Sequence, residues 1–308
     1  MNNSLVWAAL VSVASISCGP LAASRNQPLE IIAHRGVHST YADVGRKGCE
    51  AAKTTRLSPY IENTIPSMRA AFAAGASVVE IDIVHSADDE VVVFHDADLR
   101  CKTNGTGKVW KRSLAYLRNL DVGFGYTLDG GRTFPLRGKG VGLMPTLADV
   151  KRAFPTGRFL LDQKGARSER LTRLLARELS KYPIADRRRF TYWGDTDQYQ
   201  ILHEIAPGVR YMLDRRPMKS CIIRYVAVGW LDVLPDRCTG GDLIVPYRSA
   251  SLLWGWPERF VGRARRAGVS VYVAWVNSLP ALEEVLASPV DGIMTDRIEL
   301  LGPALRSR

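Results

Sequence analysis

Long hydrophobic runs are scarce in this chain. The extended uncharged stretch at its start, Leu5 to Ile16, is too short for a bilayer core of about 30 Å, so it is not read as a membrane span. There is no internal repeat beyond an alternation of short β-like and helical patterns, and no low-complexity linker. Those absences argue against a solenoid and leave no boundary at which to divide the chain. Basic residues are not gathered into a stripe interleaved with aromatics, since Arg187-Arg188-Arg189, Arg215-Arg216 and Arg263-Ala264-Arg265-Arg266 are scattered. No nucleic-acid partner is therefore expected.

Cysteine and histidine are also few, five of each in 308 residues. The apolar run is followed by Gly19-Pro20 and by the small residues Leu21-Ala22-Ala23, a pattern that predicts a secretory signal over residues 1–23. Lipidation at Cys18 is the alternative. Cleavage after Ala23 leaves a single domain, 24–308, exported to a periplasmic or extracellular space. It also leaves Cys49, Cys101, Cys221 and Cys238, an even set suited to an oxidising compartment. The expected pairs are Cys221 with Cys238, closing a local loop, and Cys49 with Cys101, joining two long insertions. What the chain does have is positive charge: 42 basic against 31 acidic residues give +11. Such a field attracts anions, among them small phosphodiesters and anionic lipid headgroups, with which transient contact is expected. Nothing in the sequence sets the oligomeric state.

With 46% hydrophobic residues the chain can bury one large core. Eight β-like runs alternate with helical patterns: Glu30 to Ala33, Val78 to Ile83, Arg158 to Asp162, Phe190 to Trp193, Arg210 to Leu213, Leu243 to Pro246, Ser270 to Val276 and Gly292 to Thr295. Eight is the number that closes a parallel barrel. The predicted fold is thus α/β, a parallel (β/α)8 TIM-type barrel with an inserted hairpin and long βα loops. The hairpin return is Val91 to Phe94, and the long segments are Val37 to Ile61 and Ala97 to Met144. Segments of that length suggest lids or binding loops.

Chemistry gathers where these strands end. Glu80 and Asp82 lie two apart in Val78-Val79-Glu80-Ile81-Asp82-Ile83, so both side chains face one side of a strand. Two carboxylates buried together need a cation, and Mg²⁺ or Ca²⁺ suits oxygen ligands. Asp162 adds a third acid, with Lys164 projecting from the same face toward an anionic substrate. His34 and His95 end the first strand and the hairpin. Two such imidazoles could take and give the protons of phosphodiester cleavage. Arg35 suits bidentate contact with phosphate oxygens, and Gly36 permits a sharp turn beneath it. His38, His85 and His203 lack this context and read as surface or packing residues.

The pieces His34-Arg35-Gly36, Glu62-Asn63-Thr64, Glu80-Ile81-Asp82, His95-Asp96 and Thr103-Asn104-Gly105-Thr106-Gly107 together resemble the glycerophosphodiester phosphodiesterase family. Met144-Pro145-Thr146-Leu147, Trp275-Val276-Asn277 and Asp291-Gly292-Ile293-Met294-Thr295-Asp296 extend the likeness to nearly the whole mature chain. The resemblance implies metal-dependent hydrolysis of a small-molecule glycerophosphodiester to glycerol 3-phosphate and an alcohol. One divalent cation, Mg²⁺ or Ca²⁺, would sit on Glu80, Asp82 and Asp162, and His34 and His95 would be the catalytic acid/base pair. Arg35 and Lys164 would hold the phosphate, Trp275 would wall the alcohol side, and Glu62 with Asn63 would support the site. His95 is assigned to activate the attacking hydroxyl and His34 to protonate the departing alcohol, though the same residues serve with the roles exchanged. Asn277 and Asp296 read equally well as helix caps.

Two features depart from the family pattern. Asp162-Gln163-Lys164 stands where the family has Glu-x-Lys, a carboxylate one methylene shorter, and the segment from Val37 to Ile61 is much longer than its counterpart. A lysophospholipase D or sphingomyelinase D-like activity is the alternative, favoured if Trp110, Phe124, Tyr126, Phe134, Trp254 and Trp256 build an apolar mouth. A non-catalytic basic protein that binds surfaces through its +11 charge is a third reading, disfavoured by the complete set of histidines and acids.

Overall fold

The computed structural model describes residues 28–42, 48–164 and 168–307. The expected signal segment 1–23 lies outside the described residues. Eight parallel strands form the barrel: β1 (Glu30–Ala33), β2 (Val78–His85), β3 (Phe159–Gln163), β4 (Phe190–Gly194), β5 (Arg210–Leu213), β6 (Leu243–Pro246), β7 (Val271–Ala274) and β8 (Gly292–Thr295). Each pairs with its neighbours in the order β5-β4-β3-β2-β1-β8-β7-β6. The ring closes between β5 and β6 through the Leu213 N–H to Asp242 carbonyl and Asp242 N–H to Tyr211 carbonyl bonds, both 2.9 Å. Val91–Val93 returns antiparallel against β2, the inserted hairpin, pairing Ile83 with Val93 and His85 with Val91.

Side-chain alternation along the strands places the site. Ile32, Val78, Leu160, Met212, Ile244, Tyr272, Ala274 and Met294 fill the barrel interior as one buried cluster. Stepping by two from that floor toward the strand ends reaches His34 from Ile32, Glu80 and Asp82 from Val78, Asp162 and Lys164 from Leu160, and Asp296 from Met294. The same face that is apolar at the bottom becomes charged at the top, the end where barrels present chemistry. The opposite faces, among them Ala33, Val79, Ile81, Phe159 and Leu161, pack under the outer helices.

Local signals explain the helix that follows the first long segment. Thr64 accepts a bond from the Ser67 N–H, Pro66 occupies the first turn, and Gly75 ends the helix Ile65–Ala74 in the left-handed region, as capping chemistry requires.

The long segments, expected as lids or binding loops, are packed against one another. They fold into a packed shell with a core of its own, in which Ala51 and Ile61 from one meet Leu99, Val109, Leu117, Leu120, Val122, Tyr126 and Leu136 from the other, over Val84, Val92 and Phe94 of the hairpin. Buried Asp121 pins the glycine-rich part by accepting bonds from the N–H groups of Gly123, Gly138 and Gly140. The disulfides join Cys49 to Cys101 and Cys221 to Cys238, the expected pairs.

Candidate active site

Glu80, Asp82 and Asp162 are buried at the top of the barrel, and each offers an oxygen within 4.8 Å of the others. β2 and β3 align Asp82 directly with Asp162, which is why the acids meet. One oxygen of each, Glu80 Oε1, Asp82 Oδ1 and Asp162 Oδ1, is buried without a hydrogen bond. Buried carboxylate oxygens are not left so without cost. Their electrostatics agree: burial first, then the charges of Asp82 and Asp162, push the Glu80 carboxyl well above its usual range. Lys164 bonds Asp162 and lies 3.3 Å from Asp82 Oδ1.

Both expected histidines are oriented by a carboxylate. His34 Nδ1 donates to Asp296 Oδ1 at 2.7 Å, and His95 Nδ1 donates to Asp96 Oδ1 at 2.6 Å. Bonding at Nδ1 leaves Nε2 as the other ring nitrogen of each. His34 Nε2 lies 3.8 Å from Glu80. Burial, with the Arg35 charge, holds the His34 imidazole below its ordinary value against the pull of Asp296. Both imidazoles are close enough to Asp82 to help hold its carboxyl low, after Lys164, against burial.

Arg35 is committed to acids. Its backbone N–H donates to Glu80 Oε2 at 2.9 Å, Nη1 donates to Glu50 at 3.0 Å and to Glu62 at 3.3 Å, and Nε lies 3.3 Å from Asp82. Asn63 grips Asp82 twice, Nδ2 donating to Oδ2 at 2.6 Å and Oδ1 accepting from the Asp82 N–H at 3.1 Å. Arg35, Asn63 and Trp275 all have positive φ, 52°, 59° and 63°, a strained state that clusters at functional sites. Two clefts flank the acids. One, of about 910 Å³, is lined by His34, Arg35, His38, Trp275, Asn277 and Asp296 among others. The second carries His95, Asp96, Glu50, Lys164 and the Cys49–Cys101 bond.

Residues 34–166 match the family model described as the glycerophosphoryl diester phosphodiesterase family. Over that stretch the chain is similar to that family. A Bacillus subtilis (strain 168) protein provisionally assigned as a glycerophosphodiester phosphodiesterase is 26% identical over 275 residues, covering 86% of this chain and 93% of that one. The glycerophosphoryl diester phosphodiesterase domain of a Mycobacterium tuberculosis protein superposes with a TM-score of 0.64 at 17% identity, covering 90% of this chain and 99% of the domain. An Oleispira antarctica phosphodiesterase, solved with its product sn-glycerol-3-phosphate, gives 0.61 at 19% identity, covering 90% and 96%. At those identities the structures show the shared barrel. The family match and these relatives support a phosphoric diester hydrolase acting on glycerophosphodiesters.

The site also includes residues that sequence reasoning passed over. His38 is buried, its Nε2 3.5 Å from Asp296 and its ring edge-on to His34 at 5.7 Å, so it belongs to the wall of the site. Asp296 and Asn277 do not serve as caps. Ser278 caps the next helix, while Asn277 donates to Asp296 Oδ2 at 2.7 Å and so fixes the carboxylate that holds His34. Lys102 is 1% exposed and bonds Glu62 and Glu50 at 2.6 and 2.9 Å. Tyr41 donates to Glu62 as well. The signal that could have found Glu50 and Lys102 is their place beside Cys49 and Cys101. His85 and His203 stay outside the site: His85 bonds the Ser86 carbonyl and His203 leans on Tyr199. The apolar mouth is not assembled. Tyr126 is buried in the shell, Phe124 and Phe134 sandwich Arg137, Trp256 packs on Phe260, and none of the six aromatics lines either cleft.

Proposed function

We propose that the chain hydrolyses glycerophosphodiesters to glycerol 3-phosphate and an alcohol with one bound divalent cation and two histidines in proton transfer. The observation that carries this reading is the trio of buried, unbonded carboxylate oxygens on Glu80, Asp82 and Asp162, set between two histidines that each have Nδ1 tied to an aspartate. The donor set is all carboxylate oxygen, which fits a hard cation such as Mg²⁺ or Ca²⁺. When bound, the ion would supply positive charge to offset the negative charge building on the phosphoryl oxygens. Lys164 and Arg35 add theirs, and Trp275, 45% exposed on the rim of the larger cleft, walls the alcohol. His95 Nε2 takes the proton of the attacking hydroxyl, from water or from the neighbouring glycerol hydroxyl. His34 gives a proton to the departing oxygen. Burial and Arg35 hold the His34 imidazole below its ordinary value in the free protein, and an anionic phosphate entering beside it favours the protonated form.

The sequence also supports export of residues 24–308 after cleavage at Ala23, and two disulfides suit an oxidising space. The mass of the protein recovered outside the cytoplasm tests that boundary.

The decisive assay follows release of glycerol 3-phosphate from glycerophosphocholine, glycerophosphoethanolamine and lysolipids, first in EDTA and then with Mg²⁺ or Ca²⁺ restored. Activity lost in EDTA and recovered with one ion is expected, with His34→Ala and His95→Ala each lower by about 10²–10⁴-fold. No turnover with either ion would defeat the reading, and turnover of lysolipids alone would favour the lysophospholipase D alternative.

A further inference from the structure

The Cys49–Cys101 bond joins two residues whose immediate neighbours, Glu50 and Lys102, meet inside the site. Lys102 comes from the glycine-rich segment and Glu50 from the long insertion after β1. Its Nζ donates to Glu50 at 2.9 Å and to Glu62 at 2.6 Å, and lies 3.3 Å from Asp96. Each of these acids has a second duty. Asp96 accepts from His95 Nδ1, Glu50 and Glu62 accept from Arg35 Nη1, and Glu50 lies 3.9 Å from His95. Lys102 is therefore the cation around which the carboxylate that orients His95 and the carboxylates that aim Arg35 are arranged. No other described cation touches all three acids.

We infer that Lys102 and Glu50 are positioning residues acting through His95 and Arg35, and that the Cys49–Cys101 disulfide makes their placement, and hence turnover, depend on oxidation. Three features support this. The bond spans 52 residues and clips the insertion to the glycine-rich segment one residue from the ion cluster on both sides. Cys49 and Cys101 line the same cleft as His95, Asp96 and Lys164, so a small reductant reaches the bond from the substrate side. Lys102 is buried to 1% exposure, so its charge is held only while the three acids stay in place. Reduction by a dithiol adds two electrons and two protons to the bond, leaving two cysteine thiols, while the reductant leaves as its own disulfide. Glu50 is then free to swing from Lys102 and Arg35. Misplacement of catalytic groups on the ångström scale is costly to rate.

The inference rests on the reading of His95 and Arg35 as catalytic groups, so the test separates the two. In the Cys221→Ala/Cys238→Ala variant only the 49–101 bond remains to reduce. With this protein and the full chain, glycerophosphocholine turnover is measured before and after dithiothreitol, alongside Cys49→Ala/Cys101→Ala. Reduction and the double substitution are expected to lower kcat at least tenfold with KM within threefold. Lys102→Met should do the same, and Lys102→Arg should recover part of the loss, which a merely structural role would not predict. The 15N resonance of His95 Nδ1 in histidine-labelled protein reports placement without turnover, and it is expected to move on reduction. An unmoved resonance, or unchanged kcat with only a lower unfolding temperature, overturns the inference. If the oxidised chain turns over no glycerophosphodiester, the functional reading fails while the resonance still decides the coupling.

Discussion

At the scale of single residues, charge that lacks a partner marks the site. Glu80 is fully buried among Asp82, Asp162 and Arg35, and in the absence of a cation its carboxylate repels its neighbours. Glu80→Gln keeps an oxygen to accept the Arg35 N–H while removing that repulsion. The EDTA-treated variant is therefore expected to melt about 2–4 °C higher than the parent, equivalent to roughly 1 kcal/mol. It should also lose most of the rise in melting temperature that Mg²⁺ or Ca²⁺ gives the parent by binding the folded state. Scanning calorimetry with and without each ion checks both, and a parent-like rise in the variant would remove Glu80 from the ion's ligands. The acids and histidines were legible because residue spacing of two and strand-end position speak directly about direction. Glu50, Lys102 and His38 were not, because their partners lie at long range: Lys102 meets Glu62 across 40 residues, and no local pattern encodes that distance.

At the scale of elements, strands were read well and loops poorly. Five of the predicted strands, those starting at Glu30, Arg210, Leu243, Gly292 and, within a residue, Phe190, keep their bounds, because buried parallel strands are apolar runs framed by turn residues. The long segments carried no such periodicity, so their packing into a shell with its own core could be seen only in three dimensions. The junction between β1 and the helix Ile65–Ala74 shows how tightly these elements meet. Gly36 has φ 79°, and a Cβ there would lie 2.3 Å from Ser67 Oγ and 2.9 Å from the Ser67 carbonyl carbon. Ser67 Oγ meanwhile donates to the carbonyls of Arg35 and Val37 at 3.1 and 2.8 Å. Gly36→Ala is expected to cost about 2 kcal/mol or more, from the left-handed penalty plus overpacking against the helix start. Urea unfolding should show the lower midpoint, and kcat should fall because Arg35 and His34 are the residues displaced. A midpoint within error of the parent would show that the helix can retreat without strain.

At the scale of the whole molecule, the barrel and the shell meet through an ion cluster, and its acid response is a property of the assembled fold. Arg35 comes from the end of β1, Glu62 from the approach to the first barrel helix, and Glu50 and Lys102 from the two halves of the shell. Burial works against the Glu50 carboxyl, but Lys102 and Arg35 outweigh it and lower its pKa from an ordinary 4.5 to about 2. Glu62 is shifted further in the same direction, burial again being outweighed by Lys102 and Arg35. In the unfolded chain both would titrate near the ordinary value. Stability from these groups is thus fully present above about pH 5 and is lost as pH falls through the window from 4.5 toward 2, because the unfolded state takes up protons that the folded state refuses. For Glu50 the shift corresponds to a loss on the order of 3 kcal/mol. Glu50→Gln has no proton to take up in that range, so its unfolding free energy should start lower at pH 6 and fall less steeply between pH 5 and 3. Urea titrations at several pH values, with parent and variant compared at each, measure the two slopes. Equal slopes would mean that Lys102 and Arg35 are satisfied without Glu50, and that shell and barrel are joined by packing and the disulfide alone.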